Sequence, residues 1–160
     1  MAIRYDFEDL LDKTIAMVKA NLNTKLASID TQKNDGITLK TFDDDESYFF
    51  QSLDDEIINV DPYLLYGIES IESDSQQYGQ SADKITMFFA IIKSDNNESD
   101  IVKIMLRYQR ALKEIFEENF TGIEIANKIN INSYGIVPFE SLDQTAKYKA
   151  IGLTVESYLA

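Results

Sequence analysis

The stretch Ile85-Thr86-Met87-Phe88-Phe89-Ala90-Ile91-Ile92 decides how this chain folds, because it is apolar at odd and even positions alike. In an extended chain, odd and even side chains point to opposite faces of a sheet. A short run that is apolar on both faces is typical of a strand buried on both sides. The pattern therefore predicts the central strand of a sheet.

Two amphipathic helices are predicted, one before and one after this strand. The first runs from about Asp6, its N-cap, to about Ser28 and ends at the polar residues 30–36. The second begins after the turn at 94–100 and ends between Asn119 and Gly122. Apolar residues recur in both helices at three- and four-residue spacing, so each helix has one stripe to bury. The stripes are Phe7, Leu11, Ile15, Val18, Leu22, Leu26 and Ile29, then Ile101, Ile104, Met105, Tyr108, Leu112, Ile115 and Phe116.

The remaining apolar segments are short and alternate with polar residues, as strands do. They predict strands at 36–42 and 63–71, short pieces at 123–125 and 129–131, an edge strand at 136–139 and a C-terminal strand within 148–159, with a polar hairpin arm at about 72–82. The fold class is therefore α+β, one domain over 1–160, with two amphipathic helices packed on one face of a largely antiparallel sheet.

Composition excludes much catalytic chemistry. The chain has 160 residues, enough to bury a core, and it contains no Cys and no His. Ser-His-Asp and Cys-His nucleophiles, thiolate redox chemistry and Cys/His zinc sites all need one of these residues. We therefore expect a protein that is not an enzyme.

Acidic runs were tested as calcium loops and do not fit. An EF-hand-like loop starting at Asp95 has Asp100 where Gly is needed and Leu106 where the bidentate Glu belongs. A loop starting at Asp43 has Tyr48 at the Gly position. A loose cation site at 43–46 and a carboxylate hydrolase stay open as minor alternatives. The prediction is no metal, no cofactor and no catalytic residue.

Charge is distributed unevenly along the chain. The net charge is −13, and no Lys or Arg lies between Lys40 and Lys84. That stretch holds 12 acidic residues, while the rest carries 16 acidic and 15 basic ones. Such a protein is repelled by nucleic acid and anionic lipid. The acidic third is interpreted either as solvated surface or as a negative face that repels or mimics something. Its members are Asp43, Asp44, Asp45, Glu46, Asp54, Asp55, Glu56, Asp61, Glu69, Glu72, Asp74 and Asp83.

Basic residues cluster on the second predicted helix, at Lys103, Arg107, Arg110 and Lys113. One interpretation is an outer helix face balanced by Glu114, Glu117 and Glu118. The alternative is a surface that meets the acidic third of a neighbouring subunit, since head-to-tail contacts of this kind close into rings. The residues 1–6 show no signal-peptide pattern and no stretch is long enough to cross a membrane, which favours a cytosolic or virion protein.

The order of elements resembles the small α+β neck proteins of tailed bacteriophages, especially tail terminators and head–tail joining proteins. The resemblance covers about Asp6 to Leu159 and includes Arg107-Tyr108-Gln109-Arg110-Ala111-Leu112 on the second helix. It implies a homo-oligomeric ring, commonly a hexamer, that caps the tail tube and meets the head–tail connector in the virion after assembly in the host cytoplasm. DNA would pass through the lumen without specific binding.

On that resemblance, the interface residues are Asp43, Asp44, Asp45, Glu46, Glu72, Asp74, Tyr78, Arg107 and Arg110. Either 43–46 or 72–74 would line the lumen or the tube-facing side, and Tyr78 would anchor in a neighbour. The alternative function is an acidic inhibitor, either an immunity protein or a DNA mimic, of a basic protein that acts on nucleic acid. The acidic third is the evidence for it.

Overall fold

A computed structural model describes residues 6–50, 60–75, 81–95, 99–119, 126–140 and 147–159. Two helices and five strands are arranged in the order α1–β1–β2–β3–α2–β4–β5. Their bounds are α1 Phe7–Lys33, β1 Tyr48–Phe50, β2 Tyr63–Ser75, β3 Ser81–Ser94, α2 Ile101–Glu118, β4 Ala126–Glu140 and β5 Lys147–Leu159. The predicted α+β class is confirmed.

The five strands form one sheet in the order β1-β2-β3-β5-β4. The apolar stretch 85–92 lies within β3, the middle strand, as predicted. All neighbours are antiparallel except β1 and β2. The ends of β2 and β3 stay paired as far as Ser75 and Ser81, so the backbone of the predicted hairpin arm forms a strand pair up to the residues 76–80, which lie outside the described part.

Both helices cover the same face of the sheet. Alternate β3 residues Ile85, Met87, Phe89 and Ile91 are fully buried against the apolar stripes of α1 and α2. Leu64 of β2 and residues 151, 153 and 155 of β5 extend this core sideways. At the start of β2, the opposite face carries a smaller buried cluster of Tyr63, Ala90, Ile92 and Ala150.

Helix α1 starts as predicted and ends later. The Asp6 carboxylate accepts a hydrogen bond from the backbone N–H of Asp9, and the Asp9 carboxylate accepts one from the backbone N–H of Asp6, which forms a capping box. The helix continues to Lys33, where Asn34 adopts a left-handed conformation with φ of 44°. The prediction of an end near Ser28 is wrong because Ile29 is buried and keeps the last turns on the core.

No strand forms at 36–42, and the prediction of one there is wrong. The backbone N–H of Leu39 donates to the Asp30 carboxylate, and Asn23 bonds both the N–H and the carbonyl oxygen of Phe42. Side chains of α1 thus satisfy backbone groups that a neighbouring strand would otherwise pair. Leu39 and Phe42 are still buried, as the alternation implied. We call residues 34–42 the strap.

Strand β4 is one long strand at the edge of the sheet, where the sequence predicted separate pieces. Residues 126–140 pair with β5 along its length, with register irregularities between Ala126 and Lys128 and between Tyr134 and Val137. The predicted piece at 123–125 lies outside the described residues. The irregularities explain the broken alternation that hid a continuous strand, since an extra residue shifts the side chains to the other face.

Close packing at the β4–β5 pair requires a glycine. Gly152 is opposite Tyr134, and a Cβ atom added to it would lie 2.7 Å from the Tyr134 hydroxyl and 2.8 Å from the Cα of Ala90, and would overlap the carbonyl oxygen of Phe89. Tyr134 therefore lies across the sheet over Gly152. Burial, with a smaller contribution from Glu69, raises the pKa of the Tyr134 hydroxyl.

Candidate functional site

The predicted interface residues 43–46 form a tight acidic turn immediately before β1. The carboxylate of Asp43 accepts hydrogen bonds from the N–H groups of Asp45 and Glu46, at 2.9 and 3.1 Å. Asp43 in turn donates its N–H to the Ser47 hydroxyl at 3.0 Å. Asp43 therefore shapes the turn, as Asp does at the first position of such loops.

The other three acids of this turn point into solvent. Asp44, Asp45 and Glu46 are exposed, and none forms an ion pair with a described residue. Their charges are available to an external partner, and we call these three residues the acidic loop. Asp44 also acts locally: burial and, secondarily, this carboxylate raise the pKa of the Tyr48 hydroxyl.

Side chains of both helices bind the strap, and the strap in turn positions the acidic loop. Asn23 and Asp30 are seven residues apart, so they lie on one face of α1. Each bonds the strap, Asn23 at Phe42 with two contacts of 2.8 Å and Asp30 at Leu39 with contacts of 3.1 and 3.2 Å. Since Phe42 directly precedes Asp43, these contacts set the position of the acidic turn.

Arg107 does not lie on the outer face of α2, which corrects the prediction for this residue. Its side chain is only 8% exposed and donates two hydrogen bonds to the carboxylate of Asp35 in the strap. The Arg107 guanidinium lowers the pKa of Asp35 to about 2. A buried Arg with a bidentate partner in its own chain is not free to meet another subunit.

Arg110 also has partners within the chain. It donates to Glu114 at 2.8 Å and to Gln32 of α1 at 2.5 Å. The hydrogen bond from Arg110 is the main cause that lowers the pKa of Glu114. Lys113 lies 3.8 Å from Glu117, with both side chains half exposed. Three of the four basic residues of this cluster are therefore neutralised by carboxylates of their own helix or of the strap.

Tyr108 and Gln109, which lie between Arg107 and Arg110 on α2, bind the strap and the β4–β5 pair. The Tyr108 hydroxyl donates to the carbonyl oxygen of Lys40 at 3.3 Å, and its ring meets Phe42 edge to face. The Gln109 amide donates to the carbonyl oxygens of Tyr134 and Gly152, at 2.5 and 2.8 Å. Gln109 thus ties α2 to the irregular part of the β4–β5 pair.

The second predicted acidic group lies far from the first. Tyr48 pairs with Leu64 near the start of β2, and Glu72 follows Leu64 by eight residues, about 26 Å along an extended strand. Glu72 is exposed and forms an ion pair of 3.0 Å with Lys84. The backbone of Asp74 pairs with Ala82, and Tyr78 lies outside the described residues. The structure does not bring Glu72 or Asp74 to the acidic loop.

Five large apolar side chains among the described residues are about half exposed, one of them Ile71 of β2, at 53%. Val102 and Leu106 are 55% and 50% exposed on α2. Val137 of β4 is 44% exposed, and Phe50 at the end of β1 is 47% exposed. Apolar side chains exposed near sheet edges are candidates for protein contacts.

Across the described ranges, no group of three or more Asp or Glu residues is placed to hold a metal ion. No helix in that part of the chain is long and apolar enough to span a bilayer.

Comparison of the sequence with protein-family models finds no match, and comparison with curated proteins finds none either.

The sequence patterns did not reveal four residues that organise this region: Asn23, Asp30, Asp35 and Gln109. The seven-residue spacing of Asn23 and Asp30 was a usable signal, since two polar residues two helical turns apart share a face. The partners of Asp35 and Gln109 are 72 residues away at Arg107 and 43 residues away at Gly152. No local pattern encodes such contacts.

Proposed function

We propose that this chain is a structural virion protein, without catalytic activity, that forms a ring at the junction of head and tail in a tailed bacteriophage. The order and layering of the elements support this most: one long helix, three strands, a second helix and two further strands, with both helices on one face. This is the arrangement through which the sequence resembles tail terminators. The ring ends the tail tube and meets the head–tail connector.

The charge distribution agrees with a passage for DNA. Asp44, Asp45 and Glu46 are exposed, without ion pairs to described residues, and the chain carries a net charge of −13. A negative lumen repels the phosphate backbone, so DNA slides through without being held. We assign the lumen side to the acidic loop rather than to Glu72, whose charge is partly neutralised by Lys84.

The test follows the growth of tail tubes. The tail-tube protein encoded in the same genome is polymerised with and without this chain, and tube lengths are measured by electron microscopy. A terminator stops elongation and decorates one end of each tube. Light scattering of the free chain, from micromolar to high concentration, should give a discrete oligomer near six copies. Tubes of unchanged length with bare ends would contradict the proposal.

A second candidate is an acidic inhibitor of a basic protein that acts on nucleic acid. The exposed acidic loop is the observation that favours it, since a mimic of DNA presents carboxylates in place of phosphates. Such an inhibitor is a monomer or dimer in light scattering, and its affinity for a basic partner falls steeply with salt.

A further inference from the structure

We propose that the subunits join head to tail through opposite edges of the sheet, with the β1 edge of one copy seated on the β4 edge and α2 of the next. The inference rests on the proposed ring and names the surfaces that build it. Phe50 and the acidic loop form the first surface, which we call the β1 surface. Val102, Lys103 and Leu106, exposed on the side of α2 next to β4, form the second, which we call the β4 surface.

The β4 surface is an apolar strip beside an open strand edge. Val102 and Leu106 are one helical turn apart and share a face of α2. Gln109 lies one turn beyond them, and its bonds to Tyr134 and Gly152 hold this side of the helix over β4 and β5. Strand β4 below this side of the helix has a sheet neighbour on one side only within the described part of the chain. Val137 of β4 is not part of the surface, because it pairs with Ala150 on the sheet face turned away from the helices.

The β1 surface combines one exposed aromatic ring with three acids. Phe50 is 47% exposed at the end of β1, the opposite outer strand of the sheet. Its ring packs edge to face on Tyr66, with centroids 5.5 Å apart, so it is held in one position. An aromatic side chain that is already held in one conformation loses little conformational entropy on binding, and such side chains are common anchors of interfaces.

Charge complementarity selects a second copy of this chain as the occupant. Lys103 is exposed beside Val102 and forms no ion pair with a described residue. The acidic loop, which precedes the strand that ends in Phe50, likewise has no described cationic partner. Each copy therefore carries an apolar and anionic surface at one sheet edge and an apolar and cationic surface at the other. Contacts between unlike surfaces repeat from copy to copy, which closes a ring when the rotation allows.

The test mixes two variants that are each blocked on one side. Phe50→Asp blocks the β1 surface, and Val102→Ser with Leu106→Asp blocks the β4 surface; all three positions are about half exposed, so the fold is retained. Circular dichroism checks that the variants are folded. Each variant alone should be monomeric by sedimentation velocity. An equimolar mixture should give a one-to-one dimer and nothing larger, because only one intact pair of surfaces remains. Ala20→Asp, on the exposed face of α1, is the matched control and should assemble like the unmodified chain.

The charge contribution is measured on that dimer. Lys103→Glu in the Phe50→Asp copy should raise the Kd of the dimer about two- to fivefold, as expected for an exposed ion pair. Lys13→Glu, on exposed α1 surface, should leave the Kd unchanged. Added salt should reduce the difference between the two variants.

Several outcomes overturn the inference. These are an unmodified chain that is monomeric at every concentration, a mixture that stays monomeric, and blocked variants that assemble like the unmodified chain. Tube growth separates this failure from failure of the proposed function. If blocked variants still end tubes normally, the surfaces are wrong and the function stands. If the chain assembles through these surfaces but tubes grow unchanged, the function is wrong and the surfaces stand.

Discussion

Replacing Asn23 with Ala should destabilise the protein and loosen the acidic loop. The Asn23 side chain is half-buried and accepts the Phe42 N–H while donating to the Phe42 carbonyl oxygen, both at 2.8 Å. Phe42 itself is 1% exposed and contacts Tyr48 and Tyr108. Truncation at Asn23 therefore leaves one backbone donor and one backbone acceptor unpaired beside the core, at the entrance to the acidic turn.

The expected loss is about 2 kcal/mol in the free energy of unfolding. A buried polar group left unpaired costs roughly 1–3 kcal/mol, and water can reach this partly buried site, so each of the two groups is taken near the lower limit. Ala is a better helix former than Asn by roughly 0.5 kcal/mol, which offsets a small part of the loss. In a protein of this size the melting temperature should fall by about 4–8 °C.

Urea denaturation followed by circular dichroism measures this loss. Thr24→Ala, the exposed neighbour on the same helix, is the control and should stay within about 0.5 kcal/mol of the unmodified chain. Asn23→Asp keeps the acceptor and loses the donor, so it should fall between the two. A value for Asn23→Ala equal to that for Thr24→Ala, with an unchanged m value, would refute the role given to this side chain.

Two further predictions concern single contacts. Gly152→Ala should cost roughly 1–3 kcal/mol, because the new methyl group meets the backbone of Phe89 and Ala90 as well as the Tyr134 hydroxyl, and backbone cannot move aside cheaply; a thermal melt checks this, and an unchanged melting temperature would contradict the close packing. The Asp35 carboxyl has a pKa of about 2, below its usual 3.8, so its pair with Arg107 stabilises the fold above pH 4 and this contribution disappears as the pH falls from about 4 to 2. The stability difference between the unmodified chain and Asp35→Asn should therefore be full at pH 5 and shrink towards pH 2, whereas a pH-independent difference would show that the pair is not responsible.

Hydrophobic periodicity was sufficient to predict both helices and the strands β2, β3 and β5. Residues 85–92 predicted the middle strand because a run that is apolar on both faces needs partners on both. The predicted first helix ended five residues too early, since the polar residues 30–33 look like a loop while Asp30 in fact bonds Leu39 from within the helix. Helix propensity is a property of the local sequence. It does not reveal that a weak helix former such as Asp30 is compensated by a hydrogen bond to a backbone group outside the helix.

The interface residues were predicted less well. Exposure of 43–46 follows from composition and agrees with the structure, whereas Arg107 was assigned to the outside and is buried against Asp35. The helical pattern places Arg107 beside the apolar stripe. Whether a carboxylate lies next to it there depends on the position of the strap, which carries Asp35. The Val102 and Leu106 pair was equally hidden, because apolar residues on a helix are expected inside.

By itself the sequence determined the fold class, the two helices, the middle strand and the concentration of negative charge in one third of the chain. These depend on spacing and composition, which are properties of neighbouring residues. The tertiary structure alone decided which charges remain free and which apolar side chains stay exposed, because both depend on contacts between segments such as 35 and 107 or 109 and 152. The free charges and exposed apolar side chains are those that form no such contact within the chain, so the local sequence pattern does not predict them.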